Sequence, residues 1–510
     1  MELSQKYTKV RPLFYFLIIA YVAIISILIY KSGLLYFTDT VSYLEMANRI
    51  NKGEFPHSSS FSPGFPFLVF LISKTLSVSA STSLYVINII LTLASSYILY
   101  YIIRACKQKS ETNFHESVLM TFVLMINWLL IKIVLTAHAD ILFFFFLNVY
   151  FLLLIKWIKT FDTKWLIATA VIAALSVWVK YNSIILVPFL LIVSLVYGRR
   201  KINYFILLLP VIFVVVSFYL FKVVNGTVIE HFQGDSFITK IEKSFTNLNL
   251  FYTNLSSSGR VYFSSVFSKS IELLIPHYIG IVFMILVISL LIKTFIFGNG
   301  INRIENIFLL FSLYYWFCFF SLCQYTEWEE LNSRTLFPSI LSFLLWIILS
   351  YKNVPKRSIK LMNASAILSI CYSFIYVFIL IYSDKSKFIN YLIEFEKKPV
   401  VVQLKEIQFD NNVEYRIYSN ESRNLSYAMN FTKINEIPSK RVFTKGKFRE
   451  KNEIEYEKLH ADFCEEFKKN NTAILIFNNP LDKPIDSALV FNASNIYRFK
   501  NDVLIVHSTK

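Results

Sequence analysis

Four ionisable residues stand where an apolar sequence can least accommodate them. Asp39, Asp140, Lys180 and Arg334 each lie in or beside a long apolar run, and they come from distant parts of a 510-residue chain. Charge is costly in such surroundings and marks a place for pairing, transport or chemistry. A carboxylate can take the proton of a hydroxyl, and Lys and Arg can hold a phosphate. Each residue also has a plain structural reading. Thr38 or Asp39 can cap a short helix in which Val41, Leu44 and Ile50 recur on one face. Asp140, just before Phe143 to Phe146, can offset the dipole at a helix start. Lys180, after Val177-Trp178-Val179, can snorkel at an interface. Arg334 opens an apolar run at a helix start, where the dipole disfavours a cation and makes an anionic partner the expectation. The acidic stretch Glu327, Glu329 and Glu330 precedes it. His138, beside Asp140, is a candidate proton carrier or metal ligand. Asp39, His138 and Asp140 are the candidates for a divalent metal, without forming a convincing ligand set.

The elements that must position these residues are membrane spans. Hydrophobic residues make up 55% of the chain, with 50 Phe and 31 Tyr, and charged residues only 17%. That balance excludes a soluble enzyme, a disordered chain and a secreted disulfide scaffold. The five cysteines, Cys106, Cys318, Cys323, Cys371 and Cys464, have neither zinc nor disulfide spacing. Runs long enough to cross a bilayer fall near 12–30, 81–104, 116–135, 140–158, 164–180, 183–198, 203–223, 271–296, 306–323, 335–351 and 358–382. The shorter run 65–78 follows Ser62-Pro63-Gly64 and reads as an interfacial helix. About eleven spans with the N-terminus inside put the basic clusters 105–115, 199–202 and 352–357 on the inner face, the positive-inside pattern. The excess of 51 Lys+Arg over 34 Asp+Glu, a net +17, then belongs mostly to inner loops rather than to nucleic-acid binding. The same topology places Asp39, Asp140, Lys180 and Arg334 together on the outer face, although it was not built from them.

Beyond 383 charged residues become common. Apolar runs shrink to strand length at Glu414 to Tyr418, Ala473 to Phe477, Ala488 to Phe491 and Asp502 to His507. Between them, Glu453 to Lys469 has one apolar face, Ile454, Leu459, Phe463 and Phe467. The expected fold is a polytopic α-helical membrane domain over 1–382, whose first outer loop is 31–80, followed by a small extracytoplasmic α/β domain over 383–510.

The order of these motifs resembles the GT-C superfold of membrane glycosyltransferases, in particular glycosyltransferase family 39, the branch of protein O-mannosyltransferases and aminoarabinose lipid A transferases. Asp39, Tyr43 and Ala47 match its first outer loop. Ser62-Pro63-Gly64-Phe65-Pro66 matches its Pro-rich approach to an interfacial helix. Ala139-Asp140-Ile141-Leu142-Phe143 matches its second acid before an apolar span. Lys180 matches a basic residue ending a later span, Arg334 with Pro338 a late Arg before Pro, and Arg416-Ile417-Tyr418-Ser419-Asn420 the start of its outer domain. Two departures stand out: Thr40 follows Asp39 where the family often has an acidic pair, and His57 stands where some relatives have a basic residue.

What the resemblance implies is an inverting transfer of a sugar from a polyprenyl-phosphate donor to a hydroxyl of a glycan, lipid or protein acceptor. Asp39 would be the general base and Asp140 would orient the acceptor or support the sugar. Lys180 and Arg334 would bind the donor phosphate, with Tyr43, His57, His138, Glu327 and Glu329 as acceptor-side or accessory residues. Some relatives use a divalent metal. The alternatives are a lipid-linked glycan flippase or transporter and a non-catalytic GT-C-like binding protein. The outer domain has no cysteine framework, which points to a bacterial inner membrane, with membrane lipids as partners. If the topology is right, cysteines substituted at Lys201 and Lys356 label only from the inner side in oriented vesicles; labelling from outside would invert it.

Overall fold

Small polar residues start several of the apolar helices: the side chains of Ser79, Asn127 and Asp162 accept from the backbone N–H of Thr82, Leu129 and Lys164. The computed structural model describes residues 38–54, 62–107, 113–197, 204–225, 248–266, 276–295, 303–326 and 334–350, and in the C-terminal part 397–410, 415–420, 434–437, 441–444, 447–450, 461–465, 472–476, 495–499 and 502–507, with further positions near 16–27, 371–375 and 425–429 and a few single residues. They form two compact units, Met1–Leu34 with Met46–Ser386, and Leu35–Glu45 with Lys387–Lys510.

The first unit is helical. After α1 (Thr38–Asn51), whose residues to Glu45 group with the second unit, come α2 (Gly64–Leu76), α3 (Ala80–Cys106), α4 (Asn113–Met125), α5 (Trp128–Leu135), α6 (Ala139–Thr160), α7 (Thr163–Val179), a 3-10 turn (Tyr181–Ile185), α8 (Leu186–Tyr197) and α9 (Tyr204–Asn225). Then follow α10 (Leu248–Val266), α11 (His277–Phe295), α12 (Asn306–Thr326) and α13 (Phe337–Ser350). Among the described residues, α3 and α6 are long and apolar enough to cross a membrane. α4 and α5 are long and apolar enough only when taken as a pair, and they are bent by 62° at their junction, as a broken span or a re-entrant loop would be.

That bend departs from the single span expected at 116–135. Asn127 is the cause: its side chain accepts from Leu129 N at 3.0 Å and starts a new helix. Asn favours a cap over a helix interior because it competes for backbone hydrogen bonds. A further helix, α10, lies between the expected spans 203–223 and 271–296. It packs on α11 through two glycines; a Cβ on Gly259 would lie 1.8 Å from Gly280 O, and one on Gly280 would lie 2.4 Å from Ser256 O. At the junction before α8, between two expected spans, Tyr150 OH donates to Leu186 O at 3.2 Å and Tyr314 OH to Ile185 O at 3.3 Å. Two hydroxyls thus satisfy carbonyls at a helix break. The aromatic core links α6, α8 and α12: Phe151 meets Phe308 and Phe311 at 5.0 Å, and Phe189 meets Phe311 at 4.9 Å, all edge-to-face.

The second unit holds a five-stranded sheet of order β2-β1-β5-β7-β6. β1 (Arg416–Ser419) pairs in parallel with β2 (Ile434–Glu436) and β5 (Thr472–Ile476), while β7 (Asp502–His507) runs antiparallel to β5 and β6 (Asn495–Phe499). β3 (Arg441–Thr444) and β4 (Lys447–Glu450) form a separate hairpin. Alternation decides the two faces. Ile417, Ala473, Leu504 and Val506 pack with Val400, Val401 and Leu404 of α14 (Pro399–Asp410) on one side. Tyr418, Ile474, Val503 and Ile505 pack with Phe463 on the other. Lys398 pairs with Asp502 at 3.4 Å. The expected strand Ala488 to Phe491, most of the helix Glu453 to Lys469 and most of the span 358–382 lie outside the described residues.

The glycines make a stability prediction. A Cβ on Gly64 would lie 2.5 Å from Trp178 O, and backbone cannot yield cheaply. Gly64→Ala and Gly259→Ala should each cost about 1–3 kcal/mol, the range for overpacking, read as a lowered thermal-unfolding midpoint of the detergent-solubilised protein. An unchanged midpoint for both would refute these contacts.

Candidate functional site

Three helix ends converge on one carboxylate. α6 begins after His138, which is extended at φ −146° and ψ 158° and makes no side-chain cap bond, so Asp140 sits in the first helical turn. α7 ends at Lys180, also extended, whose N–H bonds Ser176 O at 2.9 Å. Arg334 lies in the turn leading into α13, and its carbonyl accepts from Phe337 N at 3.3 Å. Lys180 Nζ donates to Asp140 Oδ1 at 2.6 Å, and Arg334 Nε donates to Asp140 Oδ2 at 2.8 Å. The Asp140 side chain is 3% exposed, against 19% for Lys180 and 31% for Arg334. A carboxylate that deeply buried needs such partners. The exposures also decide which groups face outward: the cations do, and the carboxylate does not.

His138 completes the cluster. Arg334 Nη2 lies 2.5 Å from its Nε2 and 3.1 Å from its Nδ1, and Nδ1 lies 3.5 Å from Asp140 Oδ2. Arginine offers donors only, so a ring nitrogen that takes its hydrogen accepts. His138 and Asp140 are thus both turned to Arg334. Among the described residues no group of three or more His, Cys, Asp or Glu side chains could hold a metal ion.

Packing around the cluster is specific. Phe144, one turn beyond Asp140, meets Phe337, three residues after Arg334, edge-to-face at 5.6 Å. The Phe143 ring lies 6.0 Å from Lys180 Nζ. Asn88 of α3 donates through Nδ2 to Val134 O at 2.6 Å and Thr136 O at 3.0 Å, holding the chain that leads from α5 to His138.

The comparisons agree with this architecture. A family model described as dolichyl-phosphate-mannose-protein mannosyltransferase matches residues 60–222, a stretch that holds His138, Asp140 and Lys180. ArnT from Cupriavidus metallidurans, in its apo state, superposes with a TM-score of 0.55 at 10% identity, covering 96% of this chain and 97% of that one. The oligosaccharyltransferase of Archaeoglobus fulgidus, tethered to an acceptor peptide with an NVT sequon, gives a TM-score of 0.50 at 13% identity over 91% of this chain and 68% of the other. No curated protein matches by sequence. The fold is the GT-C fold. The chain resembles the membrane glycosyltransferases built on it.

Within the GT-C fold, the structure brings together Asp140, Lys180, Arg334 and His138. Asp39 lies in the first turn of α1, one residue inside a helix that starts at Thr38, and is half-buried; Tyr43 is buried in the same helix. Both group with the second unit. His57, Glu327 and Glu329 lie outside the described residues. Sequence reasoning missed Asn88 and the spacer role of Gly64, which lets α2 approach Trp178, two residues before Lys180. The signal for Asn88 was an amide in mid-span, where polar groups are expensive.

Removing the carboxylate should expose how the cluster is coupled. Asp140→Asn leaves two cations facing each other and should destabilise by about 3 kcal/mol, the low end for a broken buried pair because both cations keep some solvent. Lys180→Met should cost clearly less in that background than alone, as a double-mutant cycle of thermal-unfolding midpoints would read. Strict additivity would mean the ion pair does not hold the three helix ends.

Proposed function

We propose that the chain is an integral membrane glycosyltransferase that moves a sugar from a polyprenyl-phosphate donor to an acceptor hydroxyl on the outer face of the membrane, with inversion. The topology proposed with it is about eleven spans and an extracytoplasmic C-terminal domain, in a bacterial inner membrane. One observation carries the reading: on a GT-C fold, two partly exposed cations are held side by side by one buried carboxylate.

In this reading Asp39 accepts the acceptor hydroxyl proton. The oxygen attacks the anomeric carbon from the side opposite the phosphate, and the sugar–phosphate C–O bond breaks with its electrons on the departing phosphate oxygen. Lys180 and Arg334 stabilise that growing charge. Asp140 keeps the two cations at a fixed spacing, and Asn88 and His138 hold Asp140 and Arg334 in place. Tyr43 supports the acceptor side from the same helix as Asp39. The finer choices of sugar and acceptor rest on resemblance: glycan, lipid and protein acceptors all offer the hydroxyl that this chemistry needs.

The test is transfer of radiolabelled sugar from a polyprenyl-phosphate donor by the purified, reconstituted protein. Asp39→Asn should lower kcat by about 10²–10⁴-fold, the usual worth of a positioned general base. Lys180→Met and Arg334→Met should raise the donor KM as well as lower kcat. Full-rate transfer by Asp39→Asn would remove the base from this scheme, and no transfer by the wild-type chain from any such donor would remove the scheme.

A further inference from the structure

The turn between α6 and α7, at the far end of α6 from Asp140, has features that neither packing nor the proposed chemistry uses. Phe161 closes α6 in the left-handed region, at φ 52° and ψ 23°, with its N–H bonded to Trp157 O at 2.7 Å. Glycine is the residue that this position favours, since a Cβ is strained there. The phenylalanine is nevertheless 40% exposed, its ring 6.2 Å from that of Trp157. The strain is therefore not offset by burial in the protein.

Beside it, two ammonium groups converge on one indole. Lys156 Nζ lies 4.3 Å and Lys164 Nζ 5.6 Å from the Trp165 ring centroid. Lys164 is 68% exposed and pairs with Asp162 at 2.8 Å. Lys159 Nζ donates to Ala105 O, the last turn of α3. Lys156, Lys159 and Lys164 stand at this corner with Asp162, Glu305 shares the surroundings of Cys106 with Lys159, and the aromatic groups Trp157, Phe161 and Trp165 lie among them. Aromatic rings favour the headgroup level of a bilayer, and cations there attract acidic lipids.

We infer that the α6–α7 corner binds the headgroup of an anionic phospholipid, with Lys156 and Lys164 on its phosphate across the Trp165 ring and Phe161 inserted among the acyl chains. The inference rests on the reading of α6 as a membrane span. It assigns an occupant to a surplus of positive charge, and it gives the strained, exposed Phe161 a partner in lipid.

The experiment uses the full-length protein in nanodiscs of phosphatidylcholine, with or without phosphatidylglycerol, and native mass spectrometry of lipids retained on release. Wild type should keep phosphatidylglycerol over phosphatidylcholine. Each lysine removed, in Lys156→Gln and in the double variant with Lys164→Gln, should weaken retention about fivefold, the worth of a basic residue near an acidic membrane surface. Lys156→Arg with Lys164→Arg should restore it. Phe161→Gly, which relieves the backbone, should fold at least as well in detergent yet retain less phosphatidylglycerol. Equal retention by wild type and the double Gln variant, or no preference between the two lipids, would overturn the site. Competition by soluble glycerol 3-phosphate at matched concentration would assign the corner to free phosphate and overturn the lipid. A chain that enters nanodiscs of neither composition would overturn both the site and the spanning reading.

Discussion

The carboxylate of Asp140 cannot be buried alone. Desolvating one charge costs several kcal/mol, and only well-placed counter-charges offset it. Much else in the helical unit follows from that requirement. Lys180 reaches the carboxylate because α7 stops at Val179 and the chain turns extended. Arg334 reaches it because the turn before α13 is aligned by the Phe144–Phe337 contact. Gly64 lets α2 lie against the end of α7, and Asn88 holds the segment leading into α6. The pair of cations obtained in this way has a useful property for the proposed phosphate site. Its two cations are fixed before any ligand arrives, so little ordering remains to be done on binding.

Much of this was legible from residue types. Asp140, Lys180 and Arg334 could be grouped in advance because the expected topology puts them at one end of their apolar runs; it put Asp39 there too, and Asp39 falls in the second unit. The helices α3 and α6 were legible because twenty-odd apolar residues have few alternatives. The C-terminal strands Ile417, Ile474 and Leu504 belong to were legible from short apolar runs. Mean apolarity is blind to local competition for hydrogen bonds, which is why 116–135 reads as one span and folds as two helices around Asn127. It is also blind to α10, whose serines and Asn254 dilute the apolar signal while Gly259 and Gly280 permit a backbone-close crossing. The role of Asn88 depends on carbonyls that lie 46 and 48 residues away, and no periodicity reports such a pairing.

The two units solve different problems with the same residue classes. In the C-terminal sheet, side-chain alternation lets one strand set serve two faces, so Ile417 and Tyr418 belong to different cores one residue apart. In the helical unit, hydroxyls on neighbouring helices satisfy some of the polar groups. Tyr150 and Tyr314 bond carbonyls at the junction before α8, and the buried hydroxyls of Tyr262, Ser312 and Ser339 bond one another. Such closure keeps the carbonyls freed by a helix break from being left without a partner.

The chain order of the ion cluster bears on how the protein is made. Lys180 follows Asp140 by 40 residues and Arg334 follows it by 194. At ordinary synthesis rates the first cation emerges roughly 2–8 s after the carboxylate, and the second roughly 10–40 s after it. The early helices therefore emerge with an acid that has one of its two cationic partners, and Arg334 adds the second. Assembly of this unit has a late step written into its residue order: a nascent chain that stops short of Arg334 carries the earlier helices and still lacks the arginine that pairs with Asp140.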